Sequence, residues 1–212
     1  MSLVPTWAAL LCLAFASPAQ AAPVVYSVSI DTAAFSGQTG FLDLQLNPGG
    51  PAAQSMTATV SNLAAGTGGS FPAAPPVQLD GAASGSVASG FSISNTDPFN
   101  AALVPVEFGS VLSFLVQLSG DAIDNPDPGS LVGTTFSFGV LGDNLTPLLE
   151  APGSFGEAGS IDIPGGGSPQ IGPLADGVNV TAVIPEPASL ALFGSAALAV
   201  VAWRRRKPTA TN

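Results

Sequence analysis

The chain has no histidine, and its only cysteine is Cys12. Its four basic residues are Arg204, Arg205, Arg206 and Lys207, so nothing from Ala22 to Val183 carries a positive side chain. The two tryptophans, Trp7 and Trp203, lie at the two ends, and Tyr26 is the single tyrosine. Each absence removes a class of chemistry. Without His, Cys or Lys, the stretch from Ala22 to Val183 builds no Ser-His-Asp triad, Cys-His pair, Schiff-base lysine or zinc site of the usual ligands. It has no Lys for a phosphate-binding loop and no Arg to clamp a phosphate. Once a leader containing Cys12 is removed, no disulfide and no thiol remain. Leu10-Leu11-Cys12 also lacks the small residue that precedes a lipidated cysteine.

What is abundant is negative charge of one kind. Of 14 acidic residues only Glu186 lies in the C-terminal tail, which leaves 13 between Ala22 and Val183 with no base to pair them. Such a surface repels nucleic acid and anionic headgroups, and suits divalent cations or a neutral polysaccharide. The roughly 160 residues involved are ample for one domain with a real core. Abundant Gly and Pro with many Val, Leu and Phe argue for a globular all-β chain rather than a disordered one.

Taken in order, Trp7–Ala16 is a short apolar run followed by Pro18 and by Ala19-Gln20-Ala21. A small-x-small site at Ala19 and Ala21 predicts a secretory signal peptide over 1–21, although Met1–Thr6 carries no Lys or Arg. From Val24 the pattern has period two: Tyr26, Val28 and Ile30 alternate with Ser27 and Ser29, and Leu42, Leu44 and Leu46 with Asp43 and Gln45. Further strands are expected at Met56–Leu63, Val87–Ser94, Val111–Leu118, Thr134–Leu141, Ser160–Ile163 and Val178–Ile184. Gly66–Pro76 reads as a loop, and Asp162–Pro173, with Gly165-Gly166-Gly167, as a long loop or the start of a flexible stalk. No long amphipathic helix is evident. Eight or so short strands separated by turns predict a single β-sandwich, jelly-roll-like, over 22–183.

The end of the chain is organised differently. Pro185-Glu186-Pro187 precedes an uncharged apolar run, Ala188–Trp203, which is followed by Arg204–Lys207 and a short tail at 208–212. The prolines hold an extended strip. The apolar run predicts a transmembrane helix of roughly 24 Å, short of a hydrocarbon core of about 30 Å, with snorkelling Arg side chains making up the difference. The basic cluster fixes that end in the cytoplasm, so the rest faces away from it.

These residues, Val183 to Lys207, resemble a PEP-CTERM sorting domain. The resemblance implies export in a Gram-negative bacterium and transient anchoring in the inner membrane. It further implies recognition of Pro185-Glu186-Pro187 by exosortase, a membrane transpeptidase, and delivery to the cell surface or beyond. The segments Tyr26–Thr32, Gly40–Gly49, Pro98–Asn100 and Phe108–Phe114 resemble a group of PEP-CTERM ectodomains to which no activity is assigned.

Candidate chemistry is sparse. Asp121, Asp124 and Asp127, with Asn125, form a turn with oxygen ligands of the type Ca²⁺ takes, without the spacing of an EF-hand loop. The alternative is a surface turn held by Asp and Asn side chains. Asp31-Thr32 begins like an aspartic-protease loop, but Ala33 stands where Gly is required. A carboxylate pair for glycoside hydrolysis is available by number alone, and tryptophan platforms for sugar are missing. The sequence therefore points to an exported, non-enzymatic surface or matrix protein without a cofactor, associated with exopolysaccharide in a biofilm. A Ca-dependent carbohydrate-binding module is the alternative and a glycoside hydrolase the third reading.

Overall fold

A computed structural model describes residues 24–183, and all structural statements here concern those residues. They form thirteen strands. The first seven are β1 (Val24–Asp31), β2 (Thr39–Pro48), β3 (Thr57–Ala64), β4 (Gln78–Asp80), β5 (Ala83–Ser86), β6 (Gly90–Ser94) and β7 (Ala101–Glu107). The others are β8 (Val111–Ser119), β9 (Thr134–Gly142), β10 (Pro147–Leu149), β11 (Gly159–Ile163), β12 (Gln170–Leu174) and β13 (Val178–Val183). A single helical turn, α1 (Asp121–Asp124), follows β8.

The alternating segments become strands with one buried face, because side chains on a strand point to opposite sides in turn. β1 buries Tyr26, Val28 and Ile30; β2 buries Leu42, Leu44 and Leu46; β8 buries Leu112, Phe114, Val116 and Leu118. Two antiparallel sheets result. One has the order β13-β1-β8-β3-β6-β5, the other β12-β11-β9-β2-β7-β4, with β10 also paired to β9. The pairings β1 with β8, β2 with β7 and β3 with β6 are nested, and β4 and β5 follow one another at the innermost point. The chain from β1 to β8 is thus one long antiparallel ribbon whose rungs fall alternately in the two sheets.

The inner faces meet in one hydrophobic core that draws on both sheets, including Phe91, Phe114, Phe136 and Phe138. Two buried amides tie it at one end. Asn95 accepts from Met56 N at 2.8 Å, and donates to Gln54 O and Thr134 Oγ1, each at 2.8 Å, joining the end of β6 to the start of β9. Asn100 accepts from Ala82 N at 2.9 Å, and donates to Leu46 O at 3.0 Å and Asp97 O at 2.7 Å.

The structure departs from the sequence expectation in definite places. β7 reads as Ala-Ala-Leu-Val-Pro-Val-Glu, without alternation, because Ala101, Ala102, Val104, Pro105 and Val106 are all buried. Pro105 is tolerated there for a local reason. Glu107 N donates to Ser70 O, away from β2, so residue 105 also turns its nitrogen that way. On that side β4 pairs only residues 101–103 of β7, so no ladder bond is lost. Of Val87–Ser94 only β6 is strand; residues 87–89 make the turn from β5. Asp162–Pro173 is no stalk. The strand β12 forms within it and pairs with β11, so the Gly165–Gly167 stretch is a turn between two strands.

Candidate functional site

The turn singled out for its carboxylates does not gather them. Asp121 accepts from Ser55 Oγ at 2.8 Å. Asp124 accepts from Gly120 N at 3.2 Å, and Asp127 from Gly129 N at 2.8 Å. Each carboxylate answers a different local donor, and among the described residues no three His, Cys, Asp or Glu side chains converge as a metal centre would need. Gln54 secures the turn instead, donating to Asn125 O at 3.1 Å and accepting from Asp127 N at 2.9 Å. Asp31-Thr32 is also structural: Asp31 accepts from Ala33 N at 3.0 Å, while fully buried Thr32 donates to Gly109 O at 2.8 Å.

The two outer faces differ. On the sheet containing β1 and β8, register places Ser27, Ser29, Ser113, Gln117, Thr59 and Thr181 outward around Leu115, a hydroxyl-rich face with Asp31 at the end of β1. On the sheet containing β2 and β9, the outward rows carry Asp43, Gln45 and Asn47 beside Gly139, Ser137 and Thr135, with Ser160 and Asp162 next on β11. Side chains along β2 form a directed chain. Asn100 N donates to Asn47 Oδ1 at 2.8 Å, Asn47 Nδ2 to Gln45 Oε1 at 2.9 Å, and Gln45 Nε2 to Asp43 Oδ2 at 2.6 Å. Burial pushes the Asp43 carboxyl above the usual range. The Gln45 hydrogen bond opposes that rise, and the charges of Glu157 and Asp80 add to it.

This second face is not flat. Between β10 and β11, which share one edge of β9, residues 151–157 form a closed excursion. Ala151 N donates to Glu157 O at 2.8 Å, Ser154 N to Ala151 O at 3.1 Å, Ser154 Oγ to Glu157 O at 3.0 Å, and Phe155 N to Glu157 Oε2 at 2.9 Å. The excursion lies over the sheet at Gly139, where a Cβ would come 3.4 Å from Gly156 O and 3.6 Å from Asp43 Cβ. Beside it is a hollow of about 250 Å³ lined by Thr135, Ser137, Ser160, Glu157 and Phe155, among others. A second hollow, of about 540 Å³, continues past Thr135 to Asn47, Asp162 and Gln170.

The chain's exit is equally defined. β13 is an edge strand paired only with β1, with Val25 opposite Val183, so the two ends of the described chain come together at one sheet edge. Residues 183–207 match the family model of the PEP-CTERM protein-sorting motif. The chain carries a PEP-CTERM sorting signal. The motif marks an exported protein sorted by exosortase, with a membrane-anchored C-terminal tail before processing. Its first matched residue, Val183, is the last residue of β13, so the signal starts on the folded domain itself. No curated protein and no solved structure matches the chain.

Pro185, Glu186, Pro187 and Arg204–Lys207 of the sorting signal lie outside the described residues, as do Ala19 and Ala21 of the expected leader. Among the described residues no helix is long and apolar enough to cross a membrane; the run Ala188–Trp203 is not among them.

Proposed function

We propose that the protein is a non-enzymatic component of the cell surface or extracellular matrix of a Gram-negative bacterium, associated with exopolysaccharide. Its parts are a signal peptide at 1–21, a jelly-roll-like β-sandwich at 22–183, a sorting and anchor segment at 184–207 and a cytoplasmic tail at 208–212. The nested pairing of β1 to β8 supports the jelly-roll reading.

The observation that carries the proposal is the sorting motif abutting β13. With Arg204–Lys207 held in the cytoplasm, the whole β-domain stands on the other side of the inner membrane, in the periplasm, until exosortase releases it. A non-enzymatic role is supported by residue supply: from Ala22 to Val183 there is no His, Cys, Lys or Arg to act as base, nucleophile or electrophile. The uniformly acidic domain supports a neutral polysaccharide partner over nucleic acid.

The test follows the tail in the native host. Wild-type protein recovered from surface or medium should lack Arg204–Lys207 by mass spectrometry, and Glu186→Ala should remain in the inner membrane with its tail intact. Surface material that retains the uncut basic end would overturn the sorting reading. Turnover of a glycan by the purified protein would overturn the non-enzymatic one.

A further inference from the structure

We propose that the groove over Thr135, on the outer face of the sheet containing β2, β9 and β11, binds a neutral polysaccharide. This rests on the matrix-protein reading above, and gives it a site. The two hollows share Thr135, so they run together along the face. Their polar side chains are hydroxyls, amides and carboxylates, among them Thr135, Ser137, Ser160, Asn47, Asp162 and Gln170, set between apolar walls that include Pro152 and Pro164. The β9 backbone beneath is already paired on both sides, so over the sheet a ligand meets chiefly side chains. A peptide adding a strand would need a free edge instead.

The charge pattern selects the ligand class. Asp162 and Glu157 line the groove, and no cation stands anywhere in residues 24–183 to offset them. A uronate, sulfate or phosphate would be repelled without compensation. A sugar hydroxyl donates to a carboxylate and accepts from an amide or hydroxyl, which are the groups present. The acceptors are also held in place. Thr135 Oγ1 donates to Asp162 Oδ1 at 3.1 Å, leaving Oδ2 toward Ser160 Oγ at 3.5 Å. Groups already positioned lose less freedom when a ligand arrives.

The apolar contact comes from Phe155. Its ring is 99% exposed, yet its loop is tied by the four hydrogen bonds between Ala151 and Glu157 described above. An isolated exposed ring needs no explanation. A ring carried on that tied loop at the rim of the groove offers a flat surface for the C–H face of a pyranose, the role for which residues 22–183 supply no tryptophan.

The experiment is affinity electrophoresis of the full chain, in a detergent without a sugar headgroup. The gels contain a β-glucan, a galactomannan or dextran, with alginate and dextran sulfate as anionic comparisons. At least one neutral polymer should retard the protein and the anionic ones should not. Phe155→Ala and Asp162→Asn should each weaken binding by about tenfold. Thr59→Ala, on the opposite face, should leave it unchanged. Thermal melting of Phe155→Ala should match wild type, since its ring packs on nothing. Retardation by no neutral polymer, by anionic polymers, or equally for Phe155→Ala and wild type would each overturn the proposal. Surface delivery of wild type, followed by cell fractionation, reports separately on sorting: normal delivery of a wild type that no neutral polymer retards sinks the groove alone, whereas failed delivery of wild type sinks the matrix reading.

Discussion

Phe114 and Phe138 meet edge to face across the core, their ring centroids 5.7 Å apart and their planes at 81°. One ring comes from β8 and the other from β9, so the contact joins the two sheets. Phe138 also touches Phe136 at 6.4 Å, and Gly159 leaves space for its ring, since a Cβ there would fall 2.6 Å from Cζ. Phe138→Ala should destabilise the domain by about 3–5 kcal/mol, through lost burial and the cavity left behind. A double-mutant cycle with Phe114→Leu should show coupling of about 0.5–1.5 kcal/mol. Urea unfolding measures both; additive single effects would mean that the rings contribute area alone.

The amide of Asn95 makes a second prediction. Asn95→Ala strands Met56 N and Gln54 O, and removes the bond to Thr134 that ties β6 to β9. Leaving buried polar groups unpaired costs about 1–3 kcal/mol each. A loss of about 2–4 kcal/mol in urea unfolding is expected for Asn95→Ala, and a similar loss for Asn100→Ala. A change under about 0.5 kcal/mol would mean that water replaces the amide freely.

Asp43 sets a pH dependence. Its carboxyl is raised above its ordinary value of 3.8 by burial first, so folding favours the protonated form. The stability this contributes is fully present below 3.8, and is lost as pH rises through the raised folded value. At neutral pH the ionised Asp43 is therefore a net liability beside Glu157 and Asp80. Asp43→Asn should raise Tm at pH 7, and its advantage over wild type should shrink toward pH 4. Comparing the two proteins cancels the general effect of discharging the other carboxylates. An advantage independent of pH would show that packing, not charge, is responsible.

How much of this could be read from the sequence depended on where each signal sits along the chain. β1, β2 and β8 were legible because one face of each is buried, which writes the period of two directly into the residues. β7 hid because both of its faces are covered. β4 and β5 hid for the opposite reason: residues such as Gln78, Ser84 and Ser86 stay exposed, and pairing alone makes them strands. The sorting motif was legible because it is linear and short. The groove was not, since Thr135, Phe155 and Asp162 come from three segments that only the β9–β11 pairing brings together.

Protease response follows from composition and fold together. Trypsin cuts after Lys or Arg, and residues 22–183 contain neither, so this region should resist trypsin even in urea. Thermolysin or elastase under native conditions should cut first within exposed stretches such as residues 73–76, and spare β8, whose alternate residues are buried on the core side. Gel bands identified by mass spectrometry would settle the order. Early cuts in β8 would be incompatible with the two-sheet core.

The last prediction concerns release of the domain. The sorting motif begins at Val183, the final residue of β13, so Pro187 lies four residues from the sheet edge. Four extended residues reach at most roughly 14 Å. A membrane-embedded transpeptidase must therefore work close against the folded edge, or wait for that edge to open. β13 is suited to opening: it pairs only with β1, and Val180 is its one buried side chain. Local opening of such a strand takes less free energy than global unfolding. Inserting six Gly/Ser residues after Val183 should therefore speed removal of the tail in a pulse-chase experiment. Val180→Ser, which loosens β13 while keeping the motif intact, should also speed it. Processing at the wild-type rate in both variants would mean that the folded edge never limits access to the cut.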